Sequence, residues 1–423
     1  MQKNTVEYDC LLATLKQELV PALGCTEPIA IAYAAAVATQ ALGGEPEHLT
    51  VRCSGNIIKN AKAVVVPRTG SLKGIEVSAI LGAVGGNPER KLEVLEGVTE
   101  SDVARTQALL AQKICDVALI EGTSNLHIIL EVLRGGDHAL VEIQDEHTNI
   151  VRVEKNGELL FCGGKRNDTN EPGAAATTIE HIWDFANTVD IEDVRGILDT
   201  QIKYNTRIAE EGLHNSYGAN VGATLLESCG YDVRTLAKAY PAAGSDARMS
   251  GCMLPVVINS GSGNQGMTVS LPVIVYARHL GVGKETLYRA LVLSNLLAIH
   301  QKAGIGRLSA YCGVVSAATG SGAAIAYLQG ADFETVSATV INTLANVSGI
   351  VCDGAKASCA AKIASAVDAA LLGCSMAEKG RGFRSGEGIV KDDAQRTIDS
   401  VSRLGRDGMR ETDVEILRIM IGD

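Results

Sequence analysis

Leu126-His127-Ile128-Ile129-Leu130-Glu131-Val132-Leu133-Arg134-Gly135-Gly136-Asp137-His138-Ala139-Leu140-Val141-Glu142-Ile143 is the stretch on which the fold turns. Leu126, Ile128, Leu130 and Val132 alternate before Gly135-Gly136-Asp137, and Ala139, Val141 and Ile143 alternate after it. Apolar residues at period two on both sides of a Gly-rich break read as two strands with one face on a core. Leu49, Val51 and Cys53 repeat the pattern upstream. Downstream, residues 150–153 lead through Lys155-Asn156-Gly157-Glu158, an Asn-Gly hairpin turn, into Leu159-Leu160-Phe161. Helical patterns over residues 74–81 and 101–113 lie between. Residues 45–165 therefore read as an α+β domain with an antiparallel sheet.

Residues 1–44 read as a helical segment. Leu11, Leu12, Leu15, Leu19 and Val20 fall at helical spacing before Pro21, and residues 29–41 resume as an Ala-rich helix after Gly24-Cys25-Thr26-Glu27-Pro28. Residues 163–175 are the linker candidate. From 176 to 423 strand signals nearly vanish: Ile191, Val194, Leu198 and Ile202 follow Asp190 at helical spacing, and Thr412 with Glu415 suggests a capping box. This half reads as all-helical and rich in small residues. The fold class expected is α+β: the sheet domain inserted after the N-terminal helical segment, plus a large helical domain that packs with that segment.

The chain has 423 residues, 46% of them hydrophobic, and a net charge of −11. The apolar share excludes disorder as the main state, and the acidic balance argues against nucleic acid. No apolar leader is expected at the N-terminus. Residues 249–277 and 308–331 lack charges, but Gly, Ser, Asn and Gln break them, so buried helices and no membrane partner are expected. A cytoplasmic setting follows, in which 11 scattered Cys are not a disulfide framework.

Three cysteines stand out by context: Cys312 in Ala310-Tyr311-Cys312-Gly313, and Cys352 and Cys359 at the ends of Cys352-Asp353-Gly354-Ala355-Lys356-Ala357-Ser358-Cys359. Seven residues separate the last two, which places them on one helix face or on a loop and the helix it opens. Buried packing, an iron–sulfur centre and a zinc site all compete for them. The C-x2-C spacing of structural zinc is absent. Cys25 precedes a helix, where a thiolate is favoured, though Glu27 opposes it by charge. Asn259-Ser260-Gly261-Ser262-Gly263-Asn264-Gln265-Gly266 before an apolar helix is either an anion nest or a tight turn. His300, Lys302 and Lys356 have no role that the sequence assigns.

Pro21-Ala22-Leu23-Gly24-Cys25-Thr26-Glu27-Pro28, the loop at 260–266, and Cys312 with Cys352-Asp353-Gly354-Ala355-Lys356 together resemble the L-cysteine desulfidase family, itself related to the α chain of iron–sulfur L-serine dehydratases. The resemblance runs through nearly the whole chain, to Gly386-Glu387-Gly388-Ile389-Val390 and Arg406-Asp407-Gly408-Met409. It implies a [4Fe-4S] cluster on Cys312, Cys352 and Cys359, held in a helical catalytic domain. It implies Cys25 as proton acceptor and a small amino-acid substrate bound by Thr26, Glu27, Asn56, Ser260, Asn264 and Gln265. The reaction implied is β-elimination of L-cysteine to pyruvate, ammonia and hydrogen sulfide. Where serine dehydratases carry Ser-His-Thr, this chain has Gly24-Cys25-Thr26, and its second Cys gap is shorter; both points favour thiol over hydroxyl elimination. Dehydration of L-serine or another small amino acid is the enzyme alternative, and a metal-bearing structural or sensor protein the non-enzyme one. A homo-oligomer, a dimer, is the base-rate expectation.

Overall fold

A computed structural model describes residues 1–163 and 177–422. The first half runs α1 (Val6–Glu18), β1 (Pro21–Ala22), α2 (Thr26–Leu42), β2 (His48–Ser54), α3 (Gly55–Ala61), α4 (Ile75–Gly85), α5 (Glu100–Ala111), β3 (Cys115–Ile120), β4 (His127–Arg134), β5 (Asp137–Gln144), β6 (Ile150–Lys155) and β7 (Glu158–Cys162). The second continues with α6 (Ile179–Thr188), α7 (Ile191–His214), α8 (Val221–Cys229), α9 (Val233–Met249), β8 (Val256–Val257), α10 (Gly263–Leu280), α11 (Lys284–Ile305) and α12 (Val314–Leu328). It ends with α13 (Phe333–Asn346), α14 (Cys359–Ala377), α15 (Ala394–Arg403) and α16 (Arg410–Ile421). The fold is α+β. The linker expected over 163–175 lies, but for Gly163, outside the described residues.

The six-stranded sheet has the order β3-β2-β4-β5-β6-β7. Its alternation is the one read from the sequence: Ile128, Leu130, Val132, Ala139, Val141 and Ile143 are all fully buried. Asn156 and Gly157 both take left-handed φ, 52° and 82°, as a two-residue hairpin turn between twisted strands requires. One correction concerns direction. Four strand pairs are antiparallel, but β3 runs parallel to β2, with Leu49 opposite Cys115. β3 was not legible because it is an edge strand with no buried alternation, and its parallel sense follows from the helical crossover through α3, α4 and α5.

Helix α2 packs on the sheet and against α4, and is buried on nearly every side. Close approach is possible because Gly82 of α4 meets the Ala32 backbone, where a Cβ would collide. One continuous apolar core runs from α1 through the sheet into α15.

The helical half contains one strand the sequence did not announce. β8 pairs antiparallel with β1, Pro21 with Val257 and Ala22 with Val256, tying the N-terminal segment to the helices. Asn205 of α7 locks this junction: it accepts from the Val257 N–H at 2.8 Å and donates to the Gly266 carbonyl at 3.1 Å and Ser270 Oγ at 3.0 Å. The capping box at Thr412 and Glu415 is not formed. Both lie inside α16, which begins at Arg410 straight after a helical turn over Leu404–Gly408. Among the described residues one helix, α14, has the length and composition to cross a bilayer, and Ile363, Val367, Ala370 and Leu371 bury it in the protein core.

Candidate active site

A cavity opens where the β1–β8 junction, the N-termini of α2, α10, α12 and α14, and the β5–β6 loop meet. Cys25, Thr26, Glu27, Ser260, Asn264 and Gln265 line it, and so do Cys312, Cys352 and Cys359. Segments more than 300 residues apart are thus brought together.

The cysteine wall is built by backbone pairing. Cys312 N–H donates to the Ile350 carbonyl at 2.8 Å and Cys352 N–H to Ala310 at 2.7 Å, an antiparallel bridge that closes the gap between them. Cys359 is the first residue of α14, so a loop and the helix it opens carry the closely spaced pair. Gly354, at φ 96°, packs over the Lys59 carbonyl, a position that takes no side chain. Two buried ammonium groups back this wall. Lys59, 1% exposed, pairs with Asp413 at 2.5 Å, and Lys302 lies 4% exposed on the cavity. Burial pulls Lys302 down to about 8, against the opposite pull of Cys352 and Cys312. The Cys312 thiol donates toward Cys352, which lowers the Cys352 pKa against burial, helped by Lys59 and Lys302, and raises that of Cys312.

Among the described residues no three His, Cys, Asp or Glu side chains converge on a single metal ion. A four-iron cluster spreads its ligands over separate irons and does not need that convergence. The donor set fits such a cluster: three thiols with no carboxylate among them, one pushed toward thiolate, and buried positive charge behind.

The rest of the lining is mostly polar, although Cys25 also packs with Cys359 through Val64 and Met249. Ser260 and Gly261, at φ 50° and 77°, form a tight turn closed by Asn259 and Ser262. The Thr26 hydroxyl donates to the Gly261 carbonyl at 2.8 Å, and Ser260 Oγ to Asn259 at 2.9 Å, so both serve the loop itself. The Cys25 thiol donates to Glu27 at 3.0 Å. Burial and the Glu27 charge hold Cys25 well above its ordinary pKa, so without a ligand it is a thiol, not the thiolate its helix-start position suggested. Burial also pushes the Glu27 carboxyl up, but His147, 3.6 Å away, and Cys25 bring it down to about 2.

Asn56 stands apart from the other expected binding residues. Its amide donates to Asp413 of α16 at 2.6 Å, and Asn60, one turn on, lines the cavity instead. His300 pairs with Gln395 at 2.9 Å away from the cavity, and Lys356 with Asp353 at 2.5 Å. Sequence reasoning missed His147, Arg248 and Lys59. Each sits in a stretch with no motif around it, and only the fold brings it to the site.

The model of the serine dehydratase alpha chain matches residues 89–418. The chain belongs to that family. Its relatives include UPF0597 proteins that match it end to end. That of Lachnoclostridium phytofermentans is 58% identical over 98% of this chain and all of its own. That of Desulfitobacterium hafniense is 49% identical over 100% and 98%, and that of Treponema denticola 46% identical over the full length of both. Serine dehydratase alpha chains are dehydratase-type lyases that depend on iron–sulfur chemistry.

Proposed function

We propose that the protein is an iron–sulfur β-lyase that converts L-cysteine and water to pyruvate, ammonia and hydrogen sulfide. The observation that carries this reading is one cavity lined both by three thiols and by the Cys25–Glu27 pair. What a [4Fe-4S] cluster supplies when held by Cys312, Cys352 and Cys359 is Lewis acidity at an iron without a protein ligand.

The remaining work falls to side chains. Cys25 is placed to take the Cα proton, and it must first shed its own. Its hydrogen bond to Glu27, 3.0 Å from the sulfur, marks where that proton sits before substrate enters. The Thr26–Gly261 bond fixes Cys25 against the turn at 260–261, so the base and the substrate-binding loop move as one unit. Buried walls exclude water from a proton transfer that water would otherwise intercept.

L-Serine dehydration is the second reading, and family membership favours it. The two separate in one assay on anaerobically reconstituted protein. Pyruvate and sulfide in equal amounts from L-cysteine, at a higher kcat/KM than pyruvate from L-serine, is the expected result. Faster turnover of L-serine would make the protein a dehydratase, and turnover of neither would remove the lyase reading.

A further inference from the structure

Arg248, in the last turn of α9, is a charged side chain only 2% exposed, yet its guanidinium is mostly idle. Nη1 donates to Asn264 Oδ1 at 3.2 Å, while Nε and Nη2 have no partner among the described residues. Those two N–H groups form one edge of the guanidinium plane, the fork that matches the two oxygens of a carboxylate. A buried guanidinium with an unused fork is held at a heavy desolvation cost unless an anion comes to meet it.

The surroundings are shaped for that anion. Arg248 lines the cavity. Gly263, first residue of α10, lies against Nε and Cζ, and any side chain there would run into the guanidinium. The 18-residue helix α10 starts at this point with no side-chain cap bond from Ser262, so its first N–H groups are left without a side-chain acceptor. Beside it, the buried Gln265 Oε1 is also unpartnered and suits an ammonium donor.

We infer that Arg248 is the carboxylate anchor of the site: its Nε/Nη2 edge and the start of α10 take the α-carboxylate of an amino acid whose ammonium faces Gln265. This puts the carboxylate on Arg248 and not on Thr26 or Asn264, two of the residues that the family resemblance offers for the substrate, since Thr26 is spent on Gly261 and Asn264 on Arg248. The inference rests on the reading above that a small amino acid is the substrate, but it is testable without turnover.

The probe is L-alanine, which has no leaving group, compared with L-alaninamide, which has no carboxylate. Calorimetry on the reconstituted protein is expected to give L-alanine about 100-fold tighter binding than the amide. Arg248→Met is expected to bind L-alanine about 100-fold more weakly while its ligand-free melting temperature does not fall, because a buried unpaired charge has been removed. Arg248→Lys, which keeps charge and loses the fork, is the second variant should the first not fold. Equal binding of alanine and alaninamide by the wild type, wild-type alanine affinity in either variant, or inorganic phosphate displacing alanine at equal concentration would each overturn the assignment. A protein that binds alanine through Arg248 but releases nothing from L-cysteine or L-serine would sink the lyase reading and leave this one standing.

Discussion

Two groups of residues that line the cavity differ in chemistry, although Cys25 of one packs with Cys359 of the other. The cysteine wall holds three thiols and is backed by Lys59 and Lys302, with no carboxylate among its donors. The polar wall holds Cys25, Glu27, His147 and Arg248, and its one thiol points at a carboxylate. The same residue type is therefore set to two tasks by its neighbours. Ammonium groups and the Cys312 thiol lower Cys352, whereas burial and Glu27 raise Cys25. A cysteine's role in this fold is decided by the charge it faces.

The sharpest way to break that contrast is to exchange the walls' losses. Cys352→Ser should abolish both iron retention and turnover, as measured by iron content and pyruvate. Cys25→Ser should keep iron and sulfide at wild-type content yet lose on the order of 10³-fold in kcat, the usual weight of a positioned base. Loss of iron in the Cys25 variant would move that thiol to the other wall.

A smaller effect separates carboxylates that burial treats differently. Asp246 of α9 accepts from the Gly222 N–H at 3.1 Å, capping α8, whose own start residue Asn220 sits at φ 50°. Burial raises its carboxyl to about 6, against the pull of the α8 N–H groups, so it favours the protonated form in the folded state. Its stabilising share is complete below about pH 4 and is lost as pH rises through about 6. Relative to wild type, Asp246→Asn should gain about 3 kcal/mol across that interval in pH-dependent unfolding, a bound set by one pKa unit being worth about 1.4 kcal/mol. An unchanged difference between pH 4 and 7 would show that burial does not raise the Asp246 pKa above its unfolded value.

The smallest expected change is at His147. His147→Gln removes the imidazole 3.6 Å from Glu27 and puts a neutral amide in its place, and should lower kcat about 10-fold with iron content and L-alanine binding unchanged. A loss confined to KM would place His147 on the substrate instead of behind the base.

The sheet was legible because its strands obey period two over a half-buried surface, and Leu126 through Ile143 sufficed to find it. β3 was not, since on this edge strand Cys115 and Val117 are only partly buried and Leu119 is exposed. The candidate site was legible where chemistry coincides with an unusual local setting: Cys25 between Gly24 and Pro28, and the cysteines among Gly and Ala. It was not legible where a residue matters only through distance. Arg248 reads as one more charged residue near a helix end. Its meaning comes from burial without a partner, which no spacing announces. Asn56 and Asn60 differ by one helical turn, and only the packing of α3 on α16 decides which reaches the cavity.

The most direct test of the two-wall account is the absorption and Mössbauer spectrum of anaerobically reconstituted protein, with iron and acid-labile sulfide analysed, before and after L-cysteine is added. The account predicts four irons per chain and a change at one of them when L-cysteine enters. A protein that takes up no iron, or whose four irons are all indifferent to L-cysteine, would contradict it.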